Sequence, residues 1–309
     1  MSKDTRPHAD IGATNGDAAT SSITNSGITN GSITNGSFAN GSIATDGGPA
    51  PDAAPVDVDI DGKIATVWLS RPGAYNALSE ATLDALAASF EALGQRTDVS
   101  VVVLAARGKA FCAGHDLREM RREPSHAYYR SLFARCTRVM MTMRRLPQPV
   151  IARVQGIATA AGCQLVAMAD LAVASEDARF AVSGVNLGLF CSTPSVPLSR
   201  NLPVKRAFEM LMTGEFIDAA TARELGLVNR VVPENELDAA TRALAARIAG
   251  QPPEAVRVGK GLFYRQLEMG IEAAYQLAGQ TMACNMMDSD ALAGVQAFLD
   301  KQPMPWAGK

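Results

Sequence analysis

Apolar and polar positions follow two different periods along this chain. Residues 56–60 (VDVDI) and 63–69 (KIATVWL) carry apolar residues at every second position, the mark of half-buried strands. Asp61-Gly62 between them supplies a two-residue hairpin turn. Residues 100–104 (SVVVL) have no such alternation and read as a strand covered on both faces. Leu83, Leu86, Ala87, Phe90 and Leu93 instead recur at helical spacing, behind Ser79 as N-cap and Glu80 in the first turn. Further helices are predicted near 125–145, 204–212, 218–225, 234–249 and 253–267, with residues 271–300 helical again. Strands are predicted at 171–174 and 228–232. Residues 180–201, with Gly184, Gly188, Pro194 and Pro197, read as a mostly irregular pocket wall. Strands alternating with helices, then helices alone, predict an α/β core and a helical C-terminal region.

The stretch 149–170 (PVIARVQGIATAAGCQLVAMAD) organises the rest. It opens as a strand, turns at Gly156 and runs into small apolar residues that read as a helix. The first-turn N–H groups of such a helix have no partner within it, and with the helix dipole they favour negative charge. Composition alone favours a closely packed buried helix. Residues 109–117 (KAFCAGHDL) form a second loop, with Asp116 as N-cap of a helix opening at Leu117. Two such units can each aim one N–H at a single oxygen, the geometry of an oxyanion hole.

Composition narrows the function classes. The 309 residues are 47% hydrophobic with a formal net charge of −2, which gives no electrostatic reason to expect nucleic acid or an anionic membrane as partner. No apolar run is long enough to span a bilayer, since even 150–174 contains Arg153, Gln164 and Asp170. Five cysteines without a CxxC pair suit reduced thiols in a cytoplasmic protein, and three histidines make a histidine-based zinc site a poor expectation. Residues 21–45 repeat in fives (SSITN, SGITN, GSITN, GSFAN, GSIAT). They bury too little apolar surface to offset ordering, so residues 1–54 are expected to be a disordered tail. One arginine, Arg6, makes a poor transit peptide.

RPGAYNALS (71–79), KAFCAGHDL and the 156–170 stretch together resemble the crotonase, or enoyl-CoA hydratase/isomerase, family in order and spacing. ATAAGCQLVA, GHDL and GVNLGLFCSTP resemble a narrower part of it, the enoyl-CoA hydratase domain-containing protein 3 branch. The resemblance implies a crotonase-like repeated ββα spiral core over about 55–250. It implies C-terminal helices over about 251–309 that assemble a trimer or a dimer of trimers. It also implies an acyl-CoA or enoyl-CoA thioester as substrate, no separate cofactor and no metal. The backbone N–H groups of His115 and Ala161 would stabilise the thioester enolate. Ala161 departs from the family's usual glycine there. Ala74, Ala113, Gly114, Asp116 and Leu117 would lie against the CoA thioester, and Phe298 and Lys301 would reach CoA across a subunit boundary.

The same resemblance carries a chemical departure. Hydratases of the family use two glutamates, whose positions correspond here to Gln164 and Gly184, and neither exchanges a proton near neutral pH. A non-catalytic acyl-CoA-binding protein is therefore the alternative reading, and an RNA-binding member lacks a basic patch to support it. The His115 ring titrates near neutrality, yet the resembled position acts through its backbone. Ser192 and Thr193 have no sequence-evident base to activate them. Arg118, Arg121 and Arg122 read as a solvated helix face, or as contacts to a CoA phosphate. A chain beginning at Val56 should fold and melt within a few degrees of the full-length protein by circular dichroism; insolubility or a much lower Tm would assign the tail a structural role.

Overall fold

The computed structural model describes residues 54–306, so the expectation for the tail lies outside the described residues. The chain enters on β1 (Val56–Asp61), which pairs antiparallel with β2 (Ile64–Leu69) and sets Asp61 opposite Ile64. The turn is therefore Gly62-Lys63, one residue later than Asp61-Gly62. Gly62 takes φ +56°, left-handed backbone that glycine adopts without steric cost, whereas Asp61 stays in the ladder.

Helix α1 (Glu80–Gly94) starts where the Ser79 hydroxyl accepts the Thr82 N–H, and it buries Leu83, Leu86, Ala87, Phe90 and Leu93. β3 (Val101–Ala106) is buried at all six positions. Val102, Leu104 and Ala106 face the main core, while Val101, Val103 and Ala105 face a second apolar layer on the other side of the sheet. Two helices follow: α2 (Leu117–Arg122), capped by Asp116, and α3 (His126–Arg145), capped by Ser125 and packed on α1.

The chain then repeats one pattern. β4 (Val150–Val154) and β5 (Ile157–Thr159) lead into α4 (Ala161–Met168); β6 (Leu171–Ser175) and β7 (Arg179–Ala181) lead into α5 (Ser192–Asn201). In each unit the first strand joins a six-stranded sheet and the second a three-stranded one, and a helix follows. The loop after β3 repeats this in reduced form, since Cys112 bridges to Ala158 of β5. Then come α6 (Val204–Thr213), β8 (Ile217–Asp218), α7 (Ala219–Glu224), β9 (Arg230–Val232) and α8 (Leu237–Ala249). The large sheet runs β1-β2-β3-β4-β6-β9, parallel from β2 onward, and the small one β5-β7-β8. This is the repeated ββα spiral. α8 closes the outer face of the large sheet through Leu237, Leu244, Ala245 and Ala249.

Three sequence expectations need correction. A short strand, β5, stands between Gly156 and the helix. Residues 180–201 are less irregular than expected, because they hold β7 and the ten-residue α5. Pro194 sits in the first turn of α5, where its missing N–H has no intrahelical acceptor to lose. Pro197 does remove an interior bond, but both prolines are buried and α5 packs on α4. Residues 271–300 break into α10 (Ile271–Asn285) and α11 (Ser289–Leu299).

One polar clasp fixes α9 (Pro253–Gln266) to the core. Lys260 Nζ donates to the Met143 and Gln148 carbonyls, both at 3.0 Å, and to Asp170 Oδ2 at 2.7 Å. Asp170 also accepts from Tyr264 Oη at 2.7 Å and from the Val150 N–H at 2.6 Å. Burial pushes the Lys260 pKa down and the Asp170 carboxylate opposes that. The pair is thus a buried charge with its hydrogen bonds made, the condition under which such pairs persist.

Candidate active site

The RPGAYNALS segment braces the loop that follows β3. Asn76, buried and left-handed at φ +54°, accepts from the Arg71 N–H at 2.9 Å. It donates to the carbonyls of Arg107 at 2.9 Å and Ala110 at 2.8 Å. Three backbone bonds continue the lacing: Ala113 N to Tyr75 O, Leu78 N to Gly114 O, and Asp116 N to Leu78 O. Arg71 meets Asp116 at 3.1 Å and also donates to the Ala77 carbonyl at 2.7 Å. Asp116, whose carboxylate caps α2 as well, is fully committed. Ala74 ends a single 3₁₀ turn in this segment.

The braced loop lies backbone against backbone on the β4–β5–α4 unit. The Thr159 N–H donates to the Cys112 carbonyl at 3.0 Å, and the Ile157 carbonyl accepts from Phe111 and Cys112. A Cβ on Gly156 would sit 2.1 Å from the Lys109 oxygen, and one on Gly162 would sit 2.1 Å from the Cys112 oxygen. Gly114 has φ +93°, and a Cβ there would lie 3.4 Å from the Ala161 nitrogen. The two segments meet at that point. Ala160, the N-cap of α4, has φ +50° and provides no side-chain cap. The Ala161 N–H, at the first helical position, and the His115 N–H have no hydrogen-bond acceptor among the described residues. Two free amides from adjoining segments can converge on one oxygen, and this is what the arrangement can do chemically.

The groups around these amides are neutral hydrogen bonders. Gln164 is buried one turn along α4, with its Oε1 3.9 Å from the Cys136 thiol. Gly184 has no room for any side chain, since a Cβ would stand 2.4 Å from the Leu189 oxygen and 2.7 Å from Cys191 Sγ. Its N–H points to Cys191 Sγ at 3.3 Å, and its carbonyl accepts from Leu189. The Thr159 and Ser183 hydroxyls pair at 3.0 Å beside this turn. The His115 ring packs edge-on against Phe133, with centroids 5.5 Å apart. Burial pushes its pKa down to about 4, and the Leu78 backbone opposes this. His115 is therefore neutral and a poor base at physiological pH. Burial pushes the Cys112, Cys136 and Cys163 thiols up to about 12, which excludes thiolate chemistry at neutral pH.

Other candidates fall outside this cluster. Ser192 donates to its own turn at the Phe190 carbonyl and has no base. Arg118, Arg121 and Arg122 are exposed and form no ion pair among the described residues. Leu117 is 55% exposed at the mouth of the loop. Phe298, 71% exposed, and Lys301 lie at the end of α11, and no hydrogen bond or ion pair joins them to the loop cluster. Among the described residues no group of three or more histidine, cysteine and carboxylate side chains could hold a metal ion. Sequence reasoning missed Asn76, Thr159, Ser183 and Phe133. For Asn76 a signal existed, because a polar residue inside RPGAYNALS invites a bracing role.

The chain is similar to known proteins over most of its length. The family model for enoyl-CoA hydratase/isomerase matches residues 59–309. The human mitochondrial enoyl-CoA hydratase domain-containing protein 3 is 45% identical over 80% of this chain and 82% of its own. Its crystal structure covers 82% of this chain and all of the solved one, with a TM-score of 0.79. An enoyl-CoA hydratase structure from Mycobacterium smegmatis is 62% identical, with a TM-score of 0.81 over 82% of this chain and 98% of that one. The 2,3-dehydroadipyl-CoA hydratase of Escherichia coli is 30% identical over 80% of this chain and 96% of its own.

Proline tests the amides directly. Ala161→Pro removes the N–H at the first position of the helix; because Ala160 before it holds φ +50° and ψ −118°, outside the extended range proline imposes on its predecessor, only a variant that keeps its helical signal counts. Any thioester turnover should fall by about 10²–10³, the worth of one oxyanion donor, with an unchanged far-ultraviolet spectrum. Undiminished turnover would exclude the Ala161 amide from the site.

Proposed function

Because the chain belongs to the enoyl-CoA hydratase/isomerase family and has the crotonase fold, we propose that it binds acyl-CoA or enoyl-CoA thioesters. The His115 and Ala161 amides then hold the thioester oxygen as negative charge develops on it. The single observation that carries this reading is the pair of free N–H groups held together by backbone contact at Gly114 and Gly162. Coenzyme A enters as part of the substrate, so the reading calls for no further cofactor.

Hydration of an enoyl thioester also needs a base for the water and an acid for the α-carbon. One positioned acid or base contributes roughly 10²–10⁴ in rate, and Gln164 and Gly184 supply neither. The wild-type protein is therefore a weak hydratase at most. A non-catalytic acyl-CoA-binding role is favoured by one specific observation: the turn at Gly184 is closed against any side chain.

The assembly in this reading is a homotrimer or a dimer of trimers. Its support is the apolar surface left open on the C-terminal helices, where Phe263, Leu267, Ile271, Tyr275, Leu292 and Phe298 are all exposed in the single chain. We also place the protein in the cytoplasm, on its unpaired cysteines; "mitochondrial" belongs to the names of its relatives. Among the described residues no helix is long and apolar enough to cross a membrane.

Two measurements test the reading. On crotonyl-CoA, Gln164→Glu should raise turnover about tenfold or more, or roughly 1.4 kcal/mol of barrier, because it restores one carboxylate beside an existing hole. Gly184→Glu is no substitute for it, since its Cβ would collide with the Leu189 carbonyl. Robust wild-type turnover would mean that some other residue moves the proton. Sedimentation at micromolar concentration should find trimers or hexamers, and a sharp monomer would defeat the assembly and the Lys301 contact with it.

A further inference from the structure

We propose that the groove between the end of α3 and one flank of α9 binds an organic diphosphate of nucleotide size. The site goes beyond the thioester reading and does not depend on it. The cavity there measures about 740 Å³, within the range of pockets that hold a small organic ligand. It opens beside Leu146 and Pro147, just before β4, whereas the Ala161 amide follows β5.

The charges around the cavity set the ligand class. Four guanidiniums line it, Arg144 and Arg145 from the last turn of α3 and Arg257 and Arg265 from α9, against one carboxylate, Glu268. The whole chain carries a formal net charge of −2, so the groove reverses the sign locally. Glu268 is taken by Arg144 at 3.0 Å, and Arg257 is paired with Glu254. Arg145 and Arg265 are exposed, and their guanidiniums have no hydrogen bond or ion pair among the described residues. Arg144 is held in place, since it stacks over the Tyr264 ring at 4.4 Å and donates to the Tyr264 carbonyl at 3.4 Å. Guanidiniums brought from two helices, two of them free, suit an anion with more than one phosphate, because the planar fork matches phosphate oxygens in pairs.

Helical geometry keeps this groove apart from the apolar surface assigned to assembly. At about 100° per residue, Lys260 and Tyr264 turn to the core clasp. That leaves Phe263 and Leu267 on one flank of α9 and Arg257, Gly261 and Arg265 on the other. A Cβ at Gly261 would meet nothing within 4 Å, so the floor between the two arginines is bare backbone beside open space. Met141, Leu146 and Pro147 add an apolar wall for the organic body of the ligand.

The test is titration calorimetry on the full-length protein with ADP, inorganic diphosphate and adenosine. ADP should bind saturably, more tightly than either of its parts, and more weakly as salt is raised. Arg145→Glu and Arg265→Glu change exposed side chains that have no partner to lose. Each should weaken ADP by about tenfold or more, the worth of a charge-assisted hydrogen bond. Lys205→Glu makes the same charge change on α6 and should leave the affinity within about twofold, as screening of a distant charge requires. Inorganic diphosphate or adenosine binding as tightly as ADP would overturn the ligand class. No ADP binding to the wild type, or binding that both folded arginine variants leave unchanged or that Lys205→Glu weakens equally, would overturn the site. The wild-type titrations need no variant, so a misfolded substitution does not remove the test.

Discussion

Everything at the site depends on two stretches of backbone lying in direct contact. Gly156 and Gly162 touch the carbonyls of Lys109 and Cys112 so closely that a single methyl group would fall 2.1 Å from an oxygen. No real Cβ tolerates that approach, so any side chain at either position separates the loop from the helix. The separation would carry the His115 amide away from the Ala161 amide. Preorganised donors work only while they stay aimed at one point, which makes the two glycines a condition for the chemistry as much as for the packing.

Much of the fold was legible because it is written in period and caps. An unbroken apolar run gave β3, and the Ser79 and Asp116 caps marked two helix starts. The small sheet was not legible, because β5, β7 and β8 span only three, three and two residues and no periodicity fits in so few. α5 was hidden by its prolines, whose cost is offset by burial that a one-dimensional reading cannot see. At the site, small residues in two loops revealed the meeting point in advance. The edge-on packing of His115 on Phe133 was invisible, since the two rings come from separate elements of the chain.

The two positions resembling the family's glutamates depart from it by different physical routes. Gln164 keeps the length of a glutamate and is buried beside the Cys136 thiol; its neutrality is a matter of one atom. Gly184 is another case, because the Leu189 carbonyl and the Cys191 thiol already fill the space a side chain would need. The first position is open to change by a single residue, while the second is closed unless the 184–191 turn is rebuilt. Around both, the Gln164 amide, the His115 imidazole and the Thr159–Ser183 hydroxyl pair are neutral. Such a lining orients and discriminates better than it transfers protons.

The clasp at Lys260 bears on how the core is completed. Asp170 closes the stretch that contains α4, and its buried cation arrives from 90 residues downstream. At a synthesis rate of about 5–20 residues per second, Asp170 leaves the ribosome roughly 5–20 s before Lys260 does. Through that interval the nascent chain holds a carboxylate meant for burial without the charge that makes burial tolerable. The Asp170 carboxylate and the carbonyls of Met143 and Gln148 therefore gain their last partner only once α9 has been made.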